Sequence, residues 1–239
     1  MPIFQVIVLA IVQGLAELLP VSSSAHVVVA EKLLGLDPSS PPMTLLLVML
    51  HTGTMFAVIV YFWKQWMRTY FSSSDSFKRF AIRAIWASFL TALVGYPLIK
   101  VIEKTAFAGV TGGEIESLFG RLDLIAPALA AAGILILVAG LLENRGTDTR
   151  GRVYGDNVTM RQAGWIGAVQ GLCLPFRGFS RSGATISAGM LTGANKDRAE
   201  RFSFALAVIL TPAAVGKEIL RLLKSSHAAA AAGTPIDLH

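Results

Sequence analysis

An arginine set among hydroxyl-bearing residues and a glycine, Ser180-Arg181-Ser182-Gly183-Ala184-Thr185, is a donor array suited to a phosphate oxyanion. Arg181 can give two parallel charge-assisted bonds to one phosphate. The hydroxyls of Ser180, Ser182 and Thr185 add donors, and Gly183 lets backbone amides approach. A helix restarting near Gly183 would aim its first amides at the same anion. The plain alternative is a loop-edge arginine reaching to lipid headgroups, with the serines packing helices. An arginine inside an apolar sequence is costly without a function, which favours the anion site.

A second polar constellation lies near the N-terminus. Gln13 and Glu17 are four residues apart and share a helix face. A carboxylate and an amide there could hold a hard divalent cation, Mg2+ or Ca2+, partly through water. Ser22, Ser23, Ser24 and His26 follow. His26 could serve as general acid or base if it reaches a phosphate oxygen, a hydroxyl or a water. The structural alternatives are a Glu17 bonded to the broken backbone around Pro20 and a His26 satisfied in the interior. His51, in Leu50-His51-Thr52-Gly53-Thr54, reads as a helix-packing residue. Cys173 reads as apolar filling, and the charged run Lys196–Arg201 as a solvated loop on the inner side.

The elements carrying these residues belong to a membrane protein. The chain has 239 residues, 54% hydrophobic and 15% charged, with a mean hydropathy of +0.60. Soluble domains carry about 25% charged residues, so much of this surface faces lipid. The net charge of +6 sits in short loops, which fits membrane topology rather than nucleic acid. The N-terminus shows no basic region or cleavage site of a signal peptide. A single cysteine excludes an intramolecular disulfide framework.

Crossing a bilayer takes about 20 apolar residues in a helix. Thr44–Trp63, Phe80–Ile102, Leu122–Leu142 and Phe202–Leu223 meet that length, the last with Pro212 as an expected kink. Ile3–Leu19 and Ala163–Leu174 are too short to span alone. Positive charge is high in Lys64–Arg83, low in Glu103–Arg121 (which holds Glu114 and Glu116) and high in Asn144–Arg161 (with Arg145, Arg150 and Arg152). The first and third loops are therefore expected inside.

An internal repeat organises the chain. Val12-Gln13-Gly14-Leu15 recurs as Val169-Gln170-Gly171-Leu172, and Leu19-Pro20 as Leu174-Pro175. Each continues into a small-residue segment and an apolar run ending at Gly35 or Gly193. With the loop charges, the first unit enters from outside and the second from inside. Such an inverted repeat of broken helices places a ligand site at its junction near the midplane. The expected architecture is an all-α polytopic bundle in one domain, residues 1–239. Unit one covers about 1–102 (re-entrant 3–34), unit two about 122–224 (re-entrant 163–195), and 225–239 form a polar, alanine-rich tail.

At these residues the sequence resembles the bacterial undecaprenyl-pyrophosphate phosphatase family associated with bacitracin resistance. The family's (Glu/Gln)-x-x-x-Glu and Pro-Val-Ser-Ser-x-x-His motifs read here Gln13…Glu17 and Pro20-Val21-Ser22-Ser23-Ser24-Ala25-His26. Its Pro-Gly-x-Ser-Arg-Ser-x-x-Thr motif reads Arg177-Gly178-Phe179-Ser180-Arg181-Ser182-Gly183-Ala184-Thr185. The resemblance implies removal of the terminal phosphate of undecaprenyl pyrophosphate, recycling a lipid carrier for cell-wall synthesis. It implies catalytic Glu17, Ser23, His26 and Arg181, with Gln13, Ser180 and Thr185 supporting them in binding substrate; Ser22, Ser24, Arg177, Ser182 and Gly183 are further expected to bind substrate from their place in the two polar segments. It further implies dependence on a divalent cation, and a bacterial inner-membrane location with the site open to the periplasmic side. The expected partners are the polyprenyl pyrophosphate, membrane lipid and, as an assembly, a homodimer. Three departures stand out: Arg177 replaces the family's proline, Gln13 a frequent glutamate, and Ser225–His239 takes the place of further apolar segments, as in a shortened or truncated member.

The expected mechanism has Arg181, the hydroxyls and a cation neutralising the pyrophosphate. Either Ser23, activated by His26, attacks phosphorus, or Glu17 and His26 position a water; phosphoryl transfer asks mainly for positioning and charge stabilisation. The rival reading is a transporter or flippase of an anionic polyprenyl lipid, and a weaker one a membrane scaffold. Glu17, Ser23 and His26 beside an anion site favour the enzyme, since a carrier needs no general base.

Overall fold

The computed structural model describes residues 2–17, 19, 21–106, 118, 120–143 and 157–231. These form eight helices with no strand among them: α1 Ile3–Glu17, α2 Ser23–Leu33, α3 Pro41–Thr69, α4 Ser74–Ala106, α5 Leu122–Glu143, α6 Met160–Cys173, α7 Arg181–Leu191 and α8 Lys196–Ala231. The chain is an all-helical membrane protein. Four stretches are long and apolar enough to span: Pro42–Thr69, Ser74–Thr105, Leu122–Leu142 and Lys196–Lys217. The first three contain the expected spans. Glu114 and Glu116 of the second loop, Arg145, Arg150 and Arg152 of the third, Pro20, and 232–239 of the tail lie outside the described residues.

The fourth span differs from expectation. Lys196–Arg201 is no loop but the opening of α8. The Arg198 amide donates to Asn195 Oδ1 at 3.0 Å, and Asp197 occupies the first turn, so a capping residue and an acidic first turn start the helix early.

The chain holds two helix–break–helix units of similar size. Helices of 15 and 11 residues make the first, and of 14 and 11 the second. At 1.5 Å per residue the longest is about 22 Å, short of a bilayer core of about 30 Å. Both units end alike. Gly35 (φ 73°) and Gly193 (φ 92°) adopt the left-handed conformation that glycine takes without a Cβ penalty. Gly35 N bonds Lys32 O and Leu36 N bonds Glu31 O; Gly193 N bonds Met190 O and Ala194 N bonds Gly189 O. This is the same paired closure of a helix C-terminus twice.

Helix α1 is polar inside and apolar outside. Gln13, Ala16 and Glu17 are buried with Leu9, while Ile3, Ile7, Ile11 and Leu15 are exposed along the opposite stripe. A water-soluble helix would reverse this, so the exposed stripe is one that lipid covers.

The second unit is seated by glycines. A Cβ on Gly167 would stand 2.2 Å from the Ala87 carbonyl oxygen of α4, and one on Gly171 2.7 Å from that of Thr91. Close approach of small residues is how helices associate in lipid, and Thr91 Oγ1 adds an interhelical bond to Gly167 O at 2.9 Å. Gly167→Ala should therefore lower stability by about 1–3 kcal/mol through overpacking. Gly133→Ala, with nothing within 4 Å of the new methyl, should not. Denaturation in detergent micelles checks the difference. The tip of the unit docks on α5, where a Gly178 Cβ would meet Ile125 O at 2.2 Å. Elsewhere Tyr70 stacks on Phe80, Phe62 on Trp66, and Phe80 meets Phe202 edge-on, tying α3, α4 and α8 together.

Candidate active site

The two breaks meet. Ser22 Oγ and Ser24 Oγ of the first unit both donate to the Arg177 carbonyl of the second, each at 2.9 Å. Ser22 is held at φ 64°, the one left-handed residue other than glycine among those described. Such a conformation costs of order 1 kcal/mol and persists only where surroundings impose it. Here its carbonyl accepts from His26 N and lies 2.8 Å from His26 Nδ1.

Between the tips is a cavity of ≈ 170 Å3 whose wall includes Glu17, Ser22, Ser23 and Ser24 from one unit and Arg177, Ser180, Arg181 and Ser182 from the other. Glu17 is 4% exposed and sits at the centre of a polar knot. Its Oε2 accepts from Gln13 Nε2 and from Ser23 Oγ, both at 2.7 Å, and its Oε1 accepts from Arg181 Nη2 at 3.4 Å. Arg181 keeps 30% of its side chain exposed. One donor goes to Glu17, and the planar fork retains capacity for an incoming anion.

Helix α7 begins at Arg181, two residues before the expected restart, because Ser180 caps it: its Oγ accepts from Gly183 N at 3.2 Å. The Gly183 amide is therefore engaged with the cap. Thr185 is fully buried and back-bonds to Arg181 O at 2.7 Å, and its hydroxyl also meets Ser203 on α8. Neither Gly183 nor Thr185 belongs to the cavity wall; both lie behind it, as does Gln13. His26 is exposed and is likewise not part of the wall. His51, read from sequence as a packing residue, does line the cavity, with Nε2 3.4 Å from Ser23 Oγ and 3.8 Å from Glu17 Oε2. Ser23 is thus paired with Glu17 and His51 rather than with His26. Cys173 also reaches the wall.

For a divalent cation, the described residues gather no group of three or more His, Cys, Asp or Glu. They offer one carboxylate, Glu17, the Ser23 hydroxyl, and the buried Gln13 Oε1, which has no hydrogen-bond partner. Turning the Gln13 amide over would set an unshared oxygen beside Glu17 Oε2. Hard cations commonly take one or two carboxylates and complete their shell with waters and substrate phosphates. The residues fit a cation shared with substrate, and do not form a self-sufficient protein cage.

A family model described as "Bacitracin resistance protein BacA" matches residues 6–236. "Undecaprenyl-diphosphatase 2" of Acinetobacter baylyi is 57% identical over 228 residues, covering 95% of this chain and 77% of that protein. "Undecaprenyl-diphosphatase" of Acidiphilium cryptum is 33% identical, covering 95% of this chain and 78% of that protein. The protein of that name from Desulfitobacterium hafniense is 31% identical, with 93% and 75% covered. On the match across nearly its whole length, the chain belongs to the bacitracin resistance protein BacA family.

Proposed function

We propose that the chain is an undecaprenyl-diphosphatase: it hydrolyses undecaprenyl diphosphate to undecaprenyl phosphate and orthophosphate, regenerating a lipid carrier for cell-wall synthesis. The observation that carries this reading is the convergence of Arg181, Glu17 and Ser23 on one cavity between the two tips. The names of its relatives describe the same reaction.

In this mechanism Arg181 turns its fork from Glu17 to the terminal phosphate, where charge concentrates in the transition state. Ser180 and Ser182 border the same space. The Ser23 hydroxyl, whose hydrogen already points at Glu17 Oε2, attacks the terminal phosphorus. The Oγ–P bond forms as the bond to the bridging oxygen breaks. Undecaprenyl phosphate leaves with the electron pair, and Glu17 takes the proton. Water then cleaves the serine phosphoester as Glu17 returns its proton to the leaving Oγ, releasing orthophosphate and restoring both the hydroxyl and the carboxylate. The 2.7 Å bond favours this route over a water held by Glu17. A divalent cation on Glu17 and Gln13 would supply further charge neutralisation of the diphosphate oxygens. His26, exposed and off the cavity wall with Nδ1 beside the Ser22 carbonyl, is assigned a supporting acid–base role.

The location we assign is the bacterial inner membrane, with the units inserted from opposite faces, the cavity opening to the periplasmic side, and a homodimer as the assembly. A polyprenyl tail in lipid beside the bundle explains why this phosphatase resides in a membrane. The test is purified protein in detergent with undecaprenyl diphosphate, with and without chelator. Orthophosphate release that stops on chelation and returns with Mg2+ or Ca2+ supports the reading. Binding without release would indicate a lipid carrier instead.

A further inference from the structure

The motif residues leave one feature of the cavity unexplained: α3, which belongs to neither tip, also reaches it. His51 Nδ1 lies 2.9 Å from the Leu47 carbonyl one turn back on its own helix. A carbonyl oxygen only accepts, so Nδ1 carries hydrogen and the ring orientation is fixed. Nε2 then faces the site, 3.4 Å from Ser23 Oγ and 3.8 Å from Glu17 Oε2. Three residues on, and on the same helix face, Thr54 Oγ1 receives Gln13 Nε2 at 3.4 Å. One face of α3 therefore touches all three members of the Gln13–Glu17–Ser23 knot, through two side chains.

We propose that this face is a positioning brace and that His51 is its principal member, a positioning residue for the phosphatase reaction. This rests on the phosphatase reading above. The Ser23 hydroxyl has two acceptors within reach. The nearer, Glu17 at 2.7 Å, is the carboxylate and takes the hydrogen. His51 acts through these groups rather than on substrate. Ser23 opens α2 immediately after the left-handed Ser22, at a break where no preceding helical turn restrains its side chain. The ring, fixed on a separate helix, leaves Nε2 as a second acceptor beside Oγ and by its bulk limits the rotamers open to Ser23 and Glu17. Displacements of about 1 Å at a reacting atom cost about 100-fold in rate, so a brace at this distance has a large effect.

The test measures kcat and KM for undecaprenyl diphosphate in purified His51→Gln, His51→Ala and Thr54→Val. Glutamine carries a polar atom to about the place of Nε2 but cannot act as an ionising ring. The expected result is His51→Gln within about 3-fold of the parent kcat, His51→Ala lower by about 30-fold with KM little changed, and Thr54→Val lower by about 3-fold. Parent-like kcat in His51→Ala overturns the proposal. So does a His51→Gln as slow as His51→Ala, which would make the ring itself the reacting group. A change confined to KM would mark a substrate-binding residue and equally overturn it. Should His51→Ala not fold, the Gln and Thr54→Val arms decide. An inactive parent protein would sink the phosphatase reading instead, so the two failures are distinguishable.

Discussion

Arg181→Ala reduces orthophosphate release from undecaprenyl diphosphate by about 1000-fold or more, measured as initial rate at saturating substrate. Removing one donor aimed at developing charge costs about 100- to 1000-fold, and an arginine serving a phosphoryl group about 1000- to 100,000-fold. Arg181 stands at the upper part of that scale because the other cavity-wall donors from its tip are neutral hydroxyls, apart from Arg177. Arg181→Lys keeps the charge and loses the planar fork, so it should recover only part of the rate. Folding is a minor concern, since Arg181 is 30% exposed and its bond to Glu17 is 3.4 Å long.

Glu17→Gln lowers kcat by about 100- to 10,000-fold, the range for losing a positioned proton acceptor. Its shape is preserved, but an amide nitrogen in place of Oε2 would face the donors Gln13 Nε2 and Ser23 Oγ. The neutral side chain also leaves Arg181 without its counter-charge at the cavity wall. Because Glu17 and Arg181 serve one event, the double variant Glu17→Gln/Arg181→Ala should be about as slow as the slower single variant, not slower by the product. A multiplicative loss would place the two residues in separate steps.

The parts legible from the sequence are those with local signatures. Four spans follow from length and apolarity, and two helix ends from Gly35 and Gly193, each of which closes its helix in the left-handed conformation. The pairing of Glu17 with Arg181, 164 residues apart, was reachable because the repeat implied that the two breaks meet. What stayed hidden depends on three-dimensional neighbours. His51 lies in an apolar span whose threonines and glycine suggest packing, and only the docking of α1 and α2 on α3 turns it toward Ser23. The Arg177 carbonyl that ties the tips together has no side-chain signature at all. Lys196–Arg201 misleads because its charge density suggests a loop, while Asn195 and Asp197 start a helix.

The account depends on the tips of two separate units meeting in the folded protein, and chemical cross-linking measures that most directly. With Cys173 replaced by alanine, cysteines at Ser24 and Arg177 are treated with a short bismaleimide, and the chain is then cut by a protease site placed within 144–156. Ser24 Oγ lies 2.9 Å from the Arg177 carbonyl, so the two fragments should stay joined on a denaturing gel. Fragments that separate at every reagent concentration, although each cysteine alone is fully labelled, would contradict it.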